Sequence, residues 1–329
     1  MFIKLSSLGD IIHVLPTLSA IRKLYPYAYI AWLIDDRFKD IVVKNPDVNE
    51  VIAFSRKRLE NFFQLVKYLR TKKFDLSIDL QGLFISGLIV YFTNAKYKIA
   101  GPEMKEFSYL FSKPVEKYDP NLHAVDRYFK VAEFLGYTSK EKNFTIPIEE
   151  KEILFAKDKL NSLGVNLEDI IVGFGIGSKV WQKCWPIKNY IKLSHLLSTN
   201  YRNVKCIFFG SKDEVKNMKN FECEKNIINL VGKTSLRELV AFIYHCRIFI
   251  GNDSGPLHIA SALKIPVIGL YGASNPKLTG PYGDNCIVIY KNFKCSPCGT
   301  KPKCKRNYCM EEITVEEVYE AVKKLLSST

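Results

Sequence analysis

The chain has 329 residues, of which 47% are hydrophobic, 25% charged and 13% aromatic. This length exceeds what one hydrophobic core usually covers, so two domains are expected. The composition excludes a disordered chain, a collagen-like repeat and a membrane-embedded protein. The longest apolar run, at 82–92, falls well short of the roughly 20 residues that a membrane-spanning helix needs. Because no export signal precedes the first strand-like segment, a cytoplasmic protein is expected.

The formal net charge of +14 is unevenly distributed. Residues 1–150 carry 22 Lys and Arg against 18 Asp and Glu, whereas residues 151–329 carry 26 against 16. Two stretches concentrate the excess, 56–73 and 291–306. A basic surface favours an anionic partner, but it does not choose among nucleic acid, lipid headgroups and phosphorylated small molecules.

Strand and helix patterns alternate along the chain. In the first half, strands are predicted at 2–5, 28–34, 74–80 and 96–101, with helical patterns at 59–70 and 122–135. Pro16 predicts that the first helix either starts near residue 14 or is kinked. In the second half, strands are predicted at 170–174, 204–210, 227–232, 248–252 and 266–272, with helices at 186–198, 213–220, 235–246, 256–263 and 314–326.

Strands that alternate with helices indicate parallel sheets covered on both faces, which is a doubly wound α/β architecture. The polar segment 144–152, which contains a proline, is the expected seam between two such domains. We therefore predict Rossmann-like domains over 1–150 and 151–312, with a C-terminal helix at 313–329 that packs back on the first domain. Ligands of such sheets bind at the carboxyl ends of the strands, where the polar loops of this chain fall.

The first of these loops, SSLGDIIH at 6–13, follows the first predicted strand. Gly9 permits a tight turn from strand to helix, and Asp10 comes next. Asp10 either caps the helix or supplies a carboxylate that accepts a proton from a substrate hydroxyl.

The second loop, GFGIGSKVWQKCWP at 173–186, contains three glycines followed by Ser178, Lys179 and Lys183. Glycines let backbone N–H groups approach an anion, and lysines with a helix N-terminus add positive potential. The spacing matches neither the dinucleotide fingerprint nor a Walker motif. The pattern therefore indicates a phosphate site or a plain flexible turn.

The third loop begins with GNDSGPLH at 251–258. The Ser254 hydroxyl and the N–H groups of Gly255, Leu257 and His258 could face one anion at the start of a helix. In the alternative interpretation, Asp253 and Ser254 are helix caps and His258 is a surface residue. Together with the second loop, this arrangement favours a bound diphosphate.

Four of the nine cysteines form a group near the C-terminus: Cys295, Cys298, Cys304 and Cys309. The first pair has the CxxC spacing of a zinc knuckle, whereas the second pair lacks it. The group is either a structural zinc site or a set of reduced or occasionally paired thiols, since disulfides are not the default in a chain without an export signal. The sequence lacks the Asp-x-Asp motif that would indicate a catalytic metal, so none is expected.

Six segments, in order and over nearly the whole chain, surround these loops: SSLGDIIHVLPTLSAIRKLYP, DLSIDLQGL, HAVDRYFKVAEFLGY, QKCWP, NLVGKTSLRELVAFI and GNDSGPLHIASALKIPVIGLYGASNPKLTGPYG. They resemble the ADP-heptose:lipopolysaccharide heptosyltransferases, which belong to glycosyltransferase family 9. The resemblance implies the GT-B fold, in which two Rossmann-like domains face a central cleft, and an inverting, metal-independent transfer that needs no cofactor.

The resemblance also implies roles for individual residues. Asp10 corresponds to the general base, and Lys183 stabilises the departing ADP. The other positions implied to bind the nucleotide sugar are Ser178, Lys179, Asp213, Asp253, Ser254, Gly255 and His258. Among these, Asp253 is expected to hold the heptose or order its loop. Lys179 stands where a hydroxyl residue is common in the family. Asp213 is the position implied to bind the adenosine ribose, although the neighbours 212 and 214 are alternatives for that role.

The implied partners are ADP-heptose and the lipopolysaccharide inner core, with peripheral contact to the cytoplasmic face of the inner membrane and no nucleic acid. Three alternatives remain open. A related transferase could use another sugar donor or acceptor. An NAD-dependent oxidoreductase would explain two doubly wound domains but needs the G-x-G-x-x-G motif. A basic nucleic-acid-binding protein would explain the charge and the cysteine group but leaves the ordered loops without a role.

Overall fold

The computed structural model describes residues 1–56, 59–117, 119–166, 168–218, 227–298 and 304–327. The chain divides into two compact units, Met1–Pro147 and Ile148–Thr329. This division falls inside the expected seam. Each unit is built on one parallel sheet, as the alternation of strands and helices predicts.

The first unit contains a parallel sheet of six strands among its described residues, in the order β3-β2-β1-β4-β5-β6. The strands are β1 (Phe2–Ile3), β2 (Ala31–Asp35), β3 (Glu50–Phe54), β4 (Leu76–Asp79), β5 (Tyr97–Ala100) and β6 (Lys113–Pro114). The helices are α1 (Leu8–Leu24), α2 (Leu59–Thr71), α3 (Phe84–Phe92) and α4 (Ala124–Phe134). Helix α1 contains Pro16 and begins at Leu8, so the predicted start near residue 14 is wrong.

The second unit repeats the plan, with six parallel strands among the residues described there, in the order β12-β11-β10-β7-β8-β9. The strands are β7 (Ile170–Gly175), β8 (Val204–Phe209), β9 (Ile227–Asn229), β10 (Ile248–Asn252), β11 (Val267–Tyr271) and β12 (Cys286–Tyr290). The helices are α5 (Glu150–Ser162), α6 (Ile187–Asn200), α7 (Val215–Met218), α8 (Leu236–Tyr244), α9 (Gly255–Ala262), α10 (Pro276–Thr279), α11 (Tyr308–Glu311) and α12 (Val315–Ser327).

Helix α12 differs from its prediction. It was expected to pack on the first domain, but the structure places it in the second unit, where it packs against helix α6 and strands β11 and β12. Its buried face, with Val318 and Val322, joins the hydrophobic core of that unit. The physical reason is its apolar stripe, which already finds a partner in its own unit.

Each core is formed by the inner faces of a sheet and its helices. In the first unit it includes Ile3, Leu33 and Leu69, and in the second unit Phe174 and Phe208. Within the described ranges, no helix combines the length and the apolar character that crossing a membrane requires. Both sheets present their carboxyl edges to polar loops, and these loops hold the candidate functional residues.

Candidate functional site

Asp10 lies in the first turn of α1, just after strand β1, at the carboxyl edge of the first sheet. Its Oδ2 atom accepts hydrogen bonds from the Ser7 backbone N–H at 3.0 Å and from the Ser7 hydroxyl at 2.8 Å. Asp10 therefore does cap the helix. The cap also fixes the direction of the half-buried carboxylate, so the two interpretations of Asp10 are compatible.

Lys4 is the residue of this site that sequence reasoning missed. It is 3% exposed, and its Nζ donates to the Leu80 carbonyl at 2.9 Å and to the Tyr128 hydroxyl at 2.7 Å. Burial lowers the pKa of Lys4, and the neighbouring carboxylate of Asp10 opposes that change. The available signal was a lysine among apolar residues in the predicted strand 2–5, because a buried charge needs partners.

The charge of Asp10 follows from these neighbours. Burial by itself raises the pKa of the Asp10 carboxyl. Lys4, His13 and the two hydrogen bonds from Ser7 outweigh burial and hold that pKa below its ordinary value. Asp10 is therefore an ionised carboxylate at neutral pH, and the buried amine of Lys4 contributes to this.

Gln81 ties this loop to the next strand. Its Oε1 atom accepts hydrogen bonds from the backbone N–H groups of Leu5 and Ser6, both at 3.0 Å. The loop of Gln81 and Gly82 is held in turn by Asp79, whose Oδ1 accepts from their N–H groups at 2.9 and 3.0 Å. The segments that follow β1 and β4 thus form one rigid edge of the first sheet.

In the second unit, Lys183 and His258 converge on Asp253, which follows strand β10. Lys183 Nζ lies 2.6 Å from Oδ2 of Asp253, and His258 Nε2 lies 3.5 Å from Oδ1. Burial raises the pKa of the Asp253 carboxyl, but His258 and Lys183 hold it well below its ordinary range. Lys183 is thus ion-paired in this structure, and Asp253 orders both loops.

Two buried hydroxyl groups lie in the loops that follow strands β10 and β11, at the carboxyl edge of the second sheet. The Oγ atoms of Ser254 and Ser274 are buried and have no hydrogen-bond partner within the described part of the chain. Ser178 instead donates its hydroxyl to the Asp253 carbonyl at 3.2 Å. A buried hydroxyl without a partner is costly, so Ser254 and Ser274 are suited to meet a ligand. Sequence reasoning included Ser254 and missed Ser274, which follows strand β11.

The start of helix α9 corrects two expectations. The N–H groups of Leu257 and His258 were expected to face an anion, but they donate to the Ser254 carbonyl at 3.2 and 3.5 Å. His258 is 4% exposed, so the interpretation of it as a surface residue is also wrong. Gly255 begins the helix, and Ser254 occupies the cap position without using its side chain as a cap.

Two glycines of the second loop serve packing rather than anion binding. Gly173 and Gly175 lie within strand β7. An added Cβ would lie 2.7 Å from the Phe249 ring at position 173 and 3.0 Å from it at position 175. The buried ring of Phe249 occupies the space that a side chain would need, which explains glycine at both positions.

Asn252 is a positioning residue that the sequence did not single out. It is fully buried, and its Oδ1 accepts from the Trp185 backbone N–H at 2.8 Å and from the Tyr190 hydroxyl at 3.1 Å. Its Nδ2 donates to the Ile176 carbonyl at 2.9 Å. Asn252 thereby holds both ends of the loop that carries Lys183 against strand β10.

Asp213 and Lys179 are exposed. Asp213 lies in a short 3₁₀ turn, and its N–H donates to the Ser211 hydroxyl at 3.2 Å. Its neighbour Glu214 is half-buried, caps the turn and approaches Gly177 so closely that an added Cβ there would lie 2.7 Å from the carboxyl carbon. Of the acidic residues considered at this strand end, Glu214 is the one in contact with the second loop.

The four cysteines of the C-terminal group fall on either side of 299–303, which lies outside the described residues. Burial, together with the neighbouring thiols of Cys298, Cys295 and Cys304, raises the pKa of Cys309 to about 11. Within the described ranges, no three His, Cys, Asp or Glu side chains are grouped so that they could hold a metal ion.

Comparison with known proteins places these observations in a family. The model of glycosyltransferase family 9 (heptosyltransferase) matches residues 62–309. Lipopolysaccharide core heptosyltransferase OpsX of Haemophilus influenzae is 28% identical, over 98% of this chain and 95% of that protein. Lipopolysaccharide heptosyltransferase 3 of Escherichia coli K12 is 30% identical, over 97% and 95%. The structure of Escherichia coli ADP-heptose lipopolysaccharide heptosyltransferase II shares the fold, with a TM-score of 0.82 at 23% identity and coverage of 99% and 98%.

Proposed function

Since this chain belongs to glycosyltransferase family 9, the heptosyltransferase family, we propose that it transfers L-glycero-D-manno-heptose from ADP-heptose to the inner core of lipopolysaccharide. Family membership makes it an enzyme of lipopolysaccharide core biosynthesis, a glycosyltransferase. Kdo-lipid A or heptosyl-Kdo-lipid A is the proposed acceptor. The observation that carries the proposal is the carboxylate of Asp10, which two hydrogen bonds from Ser7 hold at the carboxyl edge of the first sheet.

Asp10 is the proposed general base. As the acceptor oxygen attacks the anomeric carbon of the heptose, its proton passes to the Asp10 carboxylate, and the bond between that carbon and the ADP oxygen breaks. Attack on the face opposite the leaving group inverts the anomeric configuration. The lowered pKa of Asp10 keeps it ionised before the reaction, and burial of the carboxylate strengthens its interaction with the proton as charge develops.

The leaving group gains negative charge, and the second unit supplies groups that can stabilise it. The Ser254 hydroxyl is buried without a partner within the described residues, and Gly255 starts helix α9, whose dipole has its positive end there. Lys183 adds a cation that Asp253 orients. In this proposal Ser178 and His258 support the same loops, and no metal ion or cofactor takes part.

The acceptor of this reaction is anchored in a membrane by its lipid. We therefore propose that the protein works at the membrane surface on the cytoplasmic side, as a peripheral protein. The excess of basic residues over acidic residues is consistent with contact to anionic headgroups.

The experiment replaces Asp10 by Asn and measures turnover with ADP-heptose and defined Kdo-lipid A acceptors, with the products weighed by mass spectrometry. Turnover should fall about 10²- to 10⁴-fold, which is the usual contribution of a general base, while the affinity for ADP stays unchanged. The amide oxygen of Asn can still accept the hydrogen bonds from Ser7, so a loss of activity does not come from a lost helix cap.

Glu238→Gln is the matched control, because Glu238 accepts a hydrogen bond from the Ser235 N–H in the same capping motif at the start of α8. This variant should keep wild-type turnover. If Asp10→Asn retains more than about a third of the wild-type kcat, Asp10 is a helix cap and not the base. The same assay separates heptose from other donor sugars, and it separates the two acceptors.

A further inference from the structure

One side of the first unit exposes a cluster of large apolar side chains. Helix α3 and the 3₁₀ turn Ser108–Leu110 together carry this cluster, and their packing joins it into one surface. Each of these residues exposes between 46% and 68% of its surface to solvent. We name this the aromatic surface, and it comprises Phe84, Tyr91, Phe107, Tyr109 and Leu110.

The aromatic surface is held firmly in place. The ring of Phe111 lies between those of Phe84 and Tyr91, with centroid distances of 5.7 and 6.3 Å. Helix α3 meets the turn at Gly87, where an added Cβ would lie 2.7 Å from the Phe111 ring. Because the packing is tight, these apolar side chains stay exposed and do not turn inward against the rest of the unit.

The backbone itself presents Phe107 to solvent. Glu106 and Phe107 have φ angles of 51° and 60°, so two successive residues without glycine adopt the left-handed region. Phe107 is 64% exposed, and its ring contacts that of Tyr109 with a centroid distance of 6.1 Å. Soluble proteins rarely expose such a contiguous apolar patch unless it contacts a partner.

Basic residues border the aromatic surface. Lys98 Nζ lies 5.4 Å from the centroid of the Tyr91 ring, and Lys96 Nζ lies 5.2 Å from that of Tyr97. Lys105, which is ion-paired with Glu103, precedes the turn, and exposed Lys113 follows it. Aromatic side chains with lysines around them are typical of segments that sit at the headgroup level of a bilayer.

The aromatic surface adjoins the loop of Asp10. Gly82 accepts hydrogen bonds at its carbonyl from the Lys105 N–H at 2.7 Å and from the Ser108 hydroxyl at 3.1 Å. Its neighbour Gln81 binds the N–H groups of Leu5 and Ser6 at the edge where Asp10 lies. A membrane that met the aromatic surface would therefore lie beside the proposed general base.

We propose that the aromatic surface docks the protein onto an anionic lipid bilayer, with Phe107, Tyr109 and Leu110 entering the headgroup region. The inference rests on the proposed function, because a lipid-anchored acceptor must reach Asp10 from a membrane. The bilayer matches both parts of the surface, since apolar rings partition into the interface and each lysine near anionic headgroups adds about fivefold to binding.

The test is co-sedimentation of the full chain with vesicles of phosphatidylethanolamine and phosphatidylglycerol, compared with vesicles of phosphatidylcholine alone. The test variant is Phe107→Ser, Tyr109→Ser and Leu110→Ser combined. The matched control combines Phe155→Ser, Tyr244→Ser and Leu154→Ser, which removes the same three residue types at exposures of 48%, 46% and 48% from the second unit. Thermal unfolding confirms that both variants fold.

Wild type and control should bind the phosphatidylglycerol vesicles more tightly than the neutral ones, and salt should weaken that binding. The test variant should lose about tenfold or more of this binding. In a second measurement, Phe107→Trp should show a blue-shifted emission and quenching by brominated lipid beyond those of wild type. Equal binding by wild type and test variant overturns the inference, as does a wild type that ignores vesicles but dimerises through this surface in sedimentation.

A turnover assay separates this inference from the proposed function. With a water-soluble, deacylated inner-core acceptor, the test variant should match wild type, whereas with the lipid-anchored acceptor in vesicles its KM should rise about tenfold. If no heptose is transferred to either acceptor but vesicle binding follows the aromatic surface, the proposed function fails and the docking surface stands.

Discussion

The ion pair between Lys183 and Asp253 leads to a quantitative prediction for Lys183→Met. Methionine keeps the apolar stem of the lysine but removes its charge, so Asp253 is left with His258 as its remaining partner in this cluster. The carboxylate is 9% exposed and the lysine 22% exposed, so the charge-assisted hydrogen bond between them is largely shielded from water. Such a bond contributes about 1.5–3 kcal/mol, and we expect a loss of about 2 kcal/mol in the free energy of unfolding at neutral pH.

The stability difference between wild type and Lys183→Met should depend on pH. The pKa of Asp253 is lower in the folded protein than its ordinary value of about 3.9, so its stabilising contribution is present above that value and disappears as the pH falls through the folded pKa. Lys183→Met raises the folded pKa of Asp253 and removes part of that contribution. The stability difference between wild type and variant should therefore be largest above about pH 5 and shrink below about pH 4.

Scanning calorimetry between pH 3 and pH 8 measures this difference. For a unit of this size, about 2 kcal/mol corresponds to a fall of about 4–8 °C in Tm. A double-mutant cycle with Asp253→Asn isolates the pair, because the second substitution should cost little once the first is present. The reasoning is refuted if the variant is as stable as wild type at pH 7, or if the difference is the same at pH 3 as at pH 7.

The same variants test the role of Lys183 in catalysis. If the lysine also stabilises the leaving group, Lys183→Met should weaken ADP binding about tenfold or more by calorimetric titration, since charge-assisted contacts have that strength. The affinity for the acceptor should stay unchanged. Wild-type affinity for ADP together with lower stability would show that Lys183 only orders Asp253.

Two further predictions concern the metal and the buried amide. Chelation by EDTA should leave turnover unchanged, because protein groups are expected to stabilise the charge of the leaving group. Loss of turnover that magnesium or manganese restores would contradict this prediction. Loss of folded structure would instead indicate that the cysteine group binds a metal. Asn252→Ala leaves the buried Trp185 N–H and Ile176 carbonyl without their partner and should cost about 3–5 kcal/mol in urea unfolding, whereas the exposed control Asn200→Ala should change stability by less than about 1 kcal/mol.

Much of the architecture could be predicted from the sequence because it depends on local patterns. Alternating strands and helices predicted both parallel sheets, and the seam at 144–152 contains the observed division after Pro147. The loop positions followed from the same patterns, since a polar segment after a buried strand must lie at the carboxyl edge of a parallel sheet.

The side-chain partners could not be predicted in the same way, because they join residues far apart in the sequence. Lys4 meets Tyr128 across 124 positions, and Lys183 meets Asp253 across 70. The spacing of glycines could not distinguish an anion loop from a strand that packs on Phe249. Periodicity likewise showed that the C-terminal helix has an apolar face but not which unit covers that face.

The loop clusters around Asp10 and around Asp253 differ in the sign of the charge that each makes available. In the first unit, Lys4, His13 and the hydrogen bonds from Ser7 hold the pKa of Asp10 below its ordinary value, so that an anion is available where the proposal places the accepted proton. In the second unit, the buried anion Asp253 holds Lys183 in position, so that a cation and a hydroxyl are available where the proposal places negative charge. In each case the buried counter-charge lies within the fold, where burial makes an unpaired charge costly. Groups held in place within each unit need little reorganisation when charge develops, which is what the proposed roles of Asp10 and Lys183 require.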